Sequence, residues 1–326
     1  MSIFKTISKV SSFLNTSGKQ LKVGGYLPDP GDRHDQKYST GRYQAKELPP
    51  RVDLRDYMTT VEQQGEVGSC TANAMAGAYE YLAKRQFGWA DDVSRLFIYY
   101  NARDYDGKTD QDAGTYLRSC IQVLKEYGAC KETTWPYHVK KVFTEPPEEA
   151  YEEAASFLID EAERIDVDLY TMRHCLAEGY PFAFGMQLFK SFMTPKHGII
   201  PMPNPEKEEH IGGHAMLCVG YSDVDQMFVV RNSWGTEWGD QGYCYIPYDY
   251  MTNSELNGDC WTIKSVTDQD LSEEVWQEEG SFFDAVISLA GNILASADEE
   301  DEEYEEDEED EEDEEDEDEY EDDEEY

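Results

Sequence analysis

From Ala72 to Ala83 the apolar residues recur at intervals of three and four, at Ala72, Met75, Ala76, Tyr79, Leu82 and Ala83. That is the period of a helix with one buried stripe. The spacing predicts a helix over 70–86, with Gly68 and Ser69 as the loop and cap that precede it. Further helices are predicted from Ser94 to Arg103 and from Tyr116 to Tyr127, the latter with Leu117, Ile121 and Leu124 on one face. Another covers 169–176 and ends at Gly179. Beyond about residue 165 the period changes. The runs 182–188, 215–221, 227–230, 243–246 and 261–266 are short, β-branched or aromatic, and bounded by Gly, Asp or Pro, which predicts strands. Helices first and strands afterwards predict an α+β protein of two lobes, one helical and one an antiparallel, barrel-like sheet, with a substrate cleft between them.

The two ends follow other patterns. Ile3, Phe4, Ile7, Val10, Phe13 and Leu14 fall at helical spacing with Lys5 and Lys9 between them, predicting a short amphipathic helix docked on the protein itself. Lys5, Thr6, Ser8 and Lys9 also interrupt any signal-peptide core, so the expectation leans to a cytoplasmic location. Phe282, Phe283, Val286, Ile287, Ala290, Ile293 and Leu294 predict a second amphipathic helix, too short and interrupted to span a bilayer. Residues 298–326 hold 26 acidic residues and three tyrosines. Such a run repels itself and buries too little apolar surface to fold. The acidic tail is expected either to solubilise the chain or to bind a basic protein. The remainder is still acidic, with 45 Asp and Glu against 27 Lys and Arg, and direct nucleic-acid binding is not expected.

The predicted 70–86 helix begins at a cysteine. A thiol in the first turn meets unpaired N–H groups and the positive end of the helix dipole, both of which favour the thiolate. His214, in Gly212-Gly213-His214-Ala215, supplies a base from the other lobe. The expected resting state is a thiolate paired with an imidazolium, which later passes a proton to a leaving amine. Asn232 orients the ring, and Gln64 supplies an oxyanion donor together with the Cys70 N–H. Taken singly, a cysteine at a helix start or a histidine before an apolar strand is more often a structural residue. Their joint occurrence, in this order, points to chemistry. His214 follows Cys70 by 144 residues and Asn232 by 162, the first inside and the second just beyond the spacing of about 130–150 for papain-type enzymes.

These segments resemble the papain family of cysteine peptidases over roughly residues 48–267. The run Asn232-Ser233-Trp234-Gly235-Thr236-Glu237-Trp238-Gly239-Asp240-Gln241-Gly242-Tyr243 fills every fixed position of the family's Asn-Ser-Trp-Gly motif. Pro50 to Arg55 resembles a mature-domain start, and Trp135-Pro136-Tyr137 a family landmark. The resemblance implies Cys70 as nucleophile, His214 as acid and base, Asn232 as orienter and Gln64 as oxyanion donor. It implies a substrate contact at the Gly114 turn; Gly213 and Ala215 flank His214 with small side chains, so they are expected to border an apolar principal pocket, with Trp234 covering the His214–Asn232 pair. The departure is at Val67 and Thr71, where the family carries a disulfide cysteine and an aromatic. Gly25 to Asp35, rich in Pro, Gly and Asp, resembles a leader motif ahead of some bacterial and large-DNA-virus members.

The expected organisation is a leader over 1–47, a catalytic domain over 48–267, a linker with its amphipathic helix over 268–297 and the tail over 298–326. The function expected is a cysteine endopeptidase acting on polypeptides. Two alternatives stay open: acyl transfer of transglutaminase type on the same pair, and a non-catalytic binder acting through its tail. No Cys-x-x-Cys pair occurs among the seven cysteines, so neither a metal nor another cofactor is expected. Bridges between Cys120 and Cys130 or between Cys244 and Cys260 stay open.

Overall fold

The computed structural model describes residues 11–14, 20–88, 90–156, 158–264, 275–277 and 283. The chain forms two units, 1–280 and 281–326. The acidic tail and, Phe283 apart, the predicted 282–294 helix lie outside the described residues, as do residues 1–10 of the predicted N-terminal helix.

Six helices are present among the described residues: α1 (Cys70–Phe87), α2 (Arg95–Tyr105), α3 (Leu117–Glu126), α4 (Glu148–Ala154), α5 (Leu169–Ala177) and α6 (Tyr248–Met251). Ser94 caps α2 by accepting the Phe97 N–H, and Asp168 caps α5 by accepting that of Thr171. The strands are β1 (Ser11–Leu14), β2 (Gln20–Val23), β3 (Tyr26–Leu27), β4 (Arg51–Asp53), β5 (Thr115–Tyr116), β6 (Glu161–Ile165), β7 (Phe182–Phe189), β8 (His210–Ser222), β9 (Met227–Arg231), β10 (Tyr243–Pro247), β11 (Asn257–Lys264) and β12 (Trp276–Gln277). The main sheet runs β10-β9-β8-β7-β11-β6, with β4 joining β8 to β12. Its pairings are antiparallel.

The architecture is α+β, as the change of period indicates. Several boundaries moved. β8 starts five residues before its apolar run, so Gly212, Gly213 and His214 lie within a strand flanked by β7 and β9. Residues 11–14 form β1, paired with β2, rather than the end of a helix. Backbone pairing overrides helical spacing there, since a short amphipathic run has little propensity of its own. β12 continues the sheet past residue 267, and Trp276 donates its indole N–H to the Ala177 carbonyl at 2.7 Å. All seven cysteines are buried and unbridged.

Helix α1 lies against β8, and Gly77 permits the approach. A Cβ there would meet Leu217 Cδ2 at 3.3 Å and the Arg231 guanidinium at 3.5 Å. The consequence is that α1 and β8 bring their chemistry-bearing residues, at positions 70 and 214, to one seam.

Residues 36–47 are strapped to the body through His174 of α5. Its Nε2 accepts the Tyr43 N–H at 3.0 Å, so the ring proton belongs on Nδ1, which donates to Tyr38 Oη at 2.7 Å. Tyr38 in turn donates to Glu178 at 2.5 Å. Burial holds the His174 pKa below its ordinary value, against the opposing charge of Glu178. A docked pKa lowered in this way stabilises the strap above the free value of about 6.5, and the contribution is lost as pH falls through the docked value. Protonation must place a proton on Nε2, facing another donor. Exchange protection of the Tyr43 amide, corrected for intrinsic rate, is expected to fall as pH drops below 6.5, and constant protection down to pH 4 would refute the latch.

Candidate active site

Cys70 is the first residue of α1 and is fully buried. Ser69 holds the cap position, but its side chain does not cap the helix. Tyr137 donates its single proton to the Gln64 carbonyl at 2.9 Å. Ser69 must then donate to Tyr137, across 2.6 Å, while accepting the Asn73 amide at 3.0 Å. The Arg95 guanidinium lies over the Tyr137 ring at 4.1 Å. Tyr137 thereby ties the nucleophile loop to the loop that carries Gln64.

Where Val67 replaces the family's cysteine, a carboxylate provides the tie. Asp112 Oδ1 accepts the Gly68 N–H at 2.9 Å and the Tyr99 hydroxyl at 2.7 Å. Tyr99 also accepts the Gly114 N–H at 3.1 Å. These bonds join the loop before Cys70 to the Gly114 turn without sulfur chemistry. The ties from Asp112 to Gly68 and from Ser69 to Tyr137 escaped the sequence reading because their partners stand 44 and 68 residues apart.

His214 is fully buried. Its Nε2 meets Asn232 Oδ1 at 2.8 Å, and that oxygen also accepts the Ser233 N–H at 2.8 Å. As Oδ1 can only accept, Nε2 carries the proton and Nδ1 presents a lone pair. Nδ1 is buried with no hydrogen-bond partner among the described residues. The Trp234 ring stacks on the imidazole at 4.8 Å and is itself wholly buried. Trp238 meets Trp234 edge-on and stacks on Phe192, extending the apolar cover over the His214–Asn232 pair. The N–H of Ala215, the neighbour of His214 in β8, is near enough to the Cys70 sulfur to favour its thiolate.

Gln64 is fixed at both ends of its amide. Ser233 donates to Oε1 at 2.6 Å, which aims Nε2 at the Val67 carbonyl, 2.9 Å away, and at the Lys22 carbonyl, 3.4 Å away. Ser233 stands inside the Asn-Ser-Trp-Gly motif, yet nothing in the motif announces which side chain it holds.

Residues 20–27, in the segment expected to be a leader, pack against the loops and strands that carry these groups. Lys22 N–H donates to Gly65 O at 3.1 Å, Gly24 N–H to Gly213 O at 2.9 Å, and Thr115 N–H to Gly25 O at 3.1 Å. β3 pairs in parallel with β5. A Cβ on Gly25 would lie 2.3 Å from the Gly68 carbonyl, and one on Gly114 would lie 2.2 Å from that of Gly25. Only two glycines allow this approach. The Tyr26 ring fills the space over Gly185 and Gly213 and donates its hydroxyl to Asp259 at 2.6 Å. Thus Gly114 and Gly213, which the sequence assigns to substrate, hold leader backbone in this state.

The covered state also sets the charge. Burial pushes the Cys70 thiol up to about 12, outweighing the N–H groups of Ala215, Thr71 and Cys70 itself. Burial likewise brings His214 down to about 4 against the Asn232 bond. Burial in this state thus disfavours both charged forms, against the ion pair expected from residue types.

Residues 48–263 match the family described as papain family cysteine protease. An uncharacterized peptidase C1-like protein of Acanthamoeba polyphaga mimivirus is 36% identical over 272 residues, covering 75% of this chain and 87% of that protein. Cathepsin J of Mus musculus is 31% identical over 214 residues, 62% of this chain and 61% of its own length. Among solved structures, xylellain, a cysteine protease from Xylella fastidiosa, superposes with a TM-score of 0.70 at 37% identity, covering 74% of this chain and 96% of that one.

Proposed function

The chain belongs to the papain family of cysteine proteases and is a cysteine-type peptidase, and from that premise we propose that it cleaves within polypeptides through Cys70 and His214. One observation carries the assignment of these residues. His214 is pinned by Asn232 at one nitrogen and presents a buried, unpaired nitrogen at the other, while the Cys70 thiol lies against the N–H of the next residue.

With the cleft open and wet, the thiol proton passes to His214 Nδ1 and the sulfur attacks the substrate carbonyl carbon. His214 returns the proton to the departing amine, leaving a thioester on Cys70. Water, deprotonated by the same nitrogen, then releases the acid and restores the thiol. Gln64 Nε2 donates to the oxyanion, with Ser233 fixing which end of the amide faces it. Gln64→Ala is expected to lower kcat by about 10²–10³-fold with KM little changed. Steady-state kinetics on one peptide checks this, and a loss confined to KM would move Gln64 out of the chemical step.

An epoxide-type thiol inhibitor, followed by peptide mapping and a cleavage profile, tests the whole reading. Modification at Cys70 together with cleaved peptides supports it. Joined peptides would instead show acyl transfer, and an unmodified Cys70 would favour a binding protein. The leader, on this reading, is a resident inhibitor that fills the cleft until displaced. No described helix is long and apolar enough to cross a membrane. The acidic tail is assigned a basic protein as partner and the cytoplasm as its location. Salt-sensitive binding of the full chain to a polylysine column, eluting at much lower salt without residues 298–326, is the expected result.

A further inference from the structure

One leader side chain enters the site and meets an opposite charge. Lys22 Nζ donates to Asp112 Oδ2 at 2.5 Å and to the Asp112 carbonyl at 2.6 Å. The Lys22 carbonyl accepts from Gln64 Nε2, the oxyanion donor, at 3.4 Å, and the Lys22 N–H donates to the Gly65 carbonyl. Residue 22 therefore takes the place beside the oxyanion donor that a substrate residue takes when its carbonyl is attacked. Asp112 divides its oxygens between two tasks. Oδ1 is committed to Gly68 and Tyr99, whereas Oδ2 faces Lys22. Lys22 and Asp112 are largely buried, with side-chain exposures of 14% and 16%. When the leader leaves, Oδ2 loses its cation and stands at the wall of the cleft, next to the nucleophile loop.

We propose that Asp112 makes the enzyme select lysine or arginine as the substrate residue whose carbonyl Cys70 attacks, and that Lys22 is a resident imitation of that residue. The inference rests on the peptidase reading and deepens it. A neutral side chain of the same length leaves Oδ2 unpaired in a partly desolvated place, and an acidic one is repelled. The apolar principal pocket expected from Gly213 and Ala215 is a separate site, filled in this state by Tyr26.

The test uses the full chain carrying Gly25→Val, whose added side chain cannot sit against the Gly68 carbonyl. Three peptides differ only at the residue before the scissile bond, which is lysine, Nε-acetyl-lysine or norleucine. The expected kcat/KM for lysine exceeds the other two by about ten- to a hundredfold, the range of a charge-assisted hydrogen bond. In the background of Asp112→Asn, which keeps an acceptor for Gly68 and Tyr99, the ratio is expected to shrink to within about threefold. Equal turnover of lysine and acetyl-lysine peptides by the Asp112 enzyme would overturn the proposal without recourse to the Asn variant. So would a ratio that survives in a folded Asn variant. Cleavage at equal rates refutes the selectivity alone, whereas no cleavage of any peptide with an unlabelled Cys70 refutes the peptidase reading and the selectivity with it.

Discussion

Cys70→Ala is expected to lower kcat/KM by at least about 10⁴-fold, the largest effect of any single substitution in this chain. In the proposed mechanism the thiol forms the covalent bond to substrate, so its removal leaves only binding and the Gln64 donor to act on an attacking water. His214→Ala is expected to cost nearly as much, and the double variant little more than either single one, because the two groups work as a unit. The fold tolerates the change at position 70: a buried sulfur is traded for a small void in a helix whose neighbours at 72, 74 and 76 are already alanines. The comparison requires the leader to be open in every variant, and thermal unfolding shows that each is folded. Turnover by Cys70→Ala within tenfold of the parent would remove position 70 from the mechanism.

Gly25→Val is expected to raise the alkylation rate of Cys70 at pH 7 by about 10³-fold. A thiol of pKa about 12 is ionised to roughly 10⁻⁵ at pH 7, and one restored to about 8.5 to roughly 3%. Pairing with a solvated imidazolium would lift the rate further. The change forces the leader off the loop before Cys70, since the added atoms meet the Gly68 carbonyl, 2.3 Å from an ideal Cβ. The parent chain has its own pH dependence. The docked thiol is raised above its free value, so its contribution to closure is complete below about 8.5 and is lost as pH climbs through 12. His214 is lowered to about 4, so its contribution is complete above about 6.5 and is lost as pH falls through 4. Asp29, raised to about 6 by burial and by Asp259, works in the opposite sense on the acid side, stabilising closure as pH falls below 6. Alkylation of the parent is therefore expected to accelerate above pH 8.5, beyond the slope set by the reagent, while acid opening is blunted by Asp29. Mass-spectrometric labelling of Cys70 across this range checks both arms. Equal rates for parent and Gly25→Val at pH 7 would mean that the leader does not guard the thiol.

The candidate side chains stood out in the sequence because chemistry is local in type. A cysteine after Gly68-Ser69 at the head of a periodic apolar helix, a histidine between glycines and a strand, and an asparagine in a Trp-flanked motif each carry their signal within about a dozen residues. The strands were legible by composition, though β8 was not legible at its start: Gly212 and Gly213 look like loop residues and are held in the sheet by β7. The N-terminal helical spacing ended in a strand at 11–14 for the same reason, a partner strand outweighing a short period.

Residue types and their order were thus enough to indicate the fold class and to single out Cys70, His214 and Asn232 as candidates, since side-chain periodicity and reactive groups are properties of short stretches. What they could not supply was the occupancy and charge of the cleft. Lys22 reaches Asp112 across 90 residues and Tyr26 reaches Asp259 across 233, so chain closure in three dimensions, not local pattern, sets residues 20–27 against the loop before Cys70. Burial then decides whether the thiol and the imidazole are charged, because desolvation depends on what covers a group and not on which residues stand beside it in the chain.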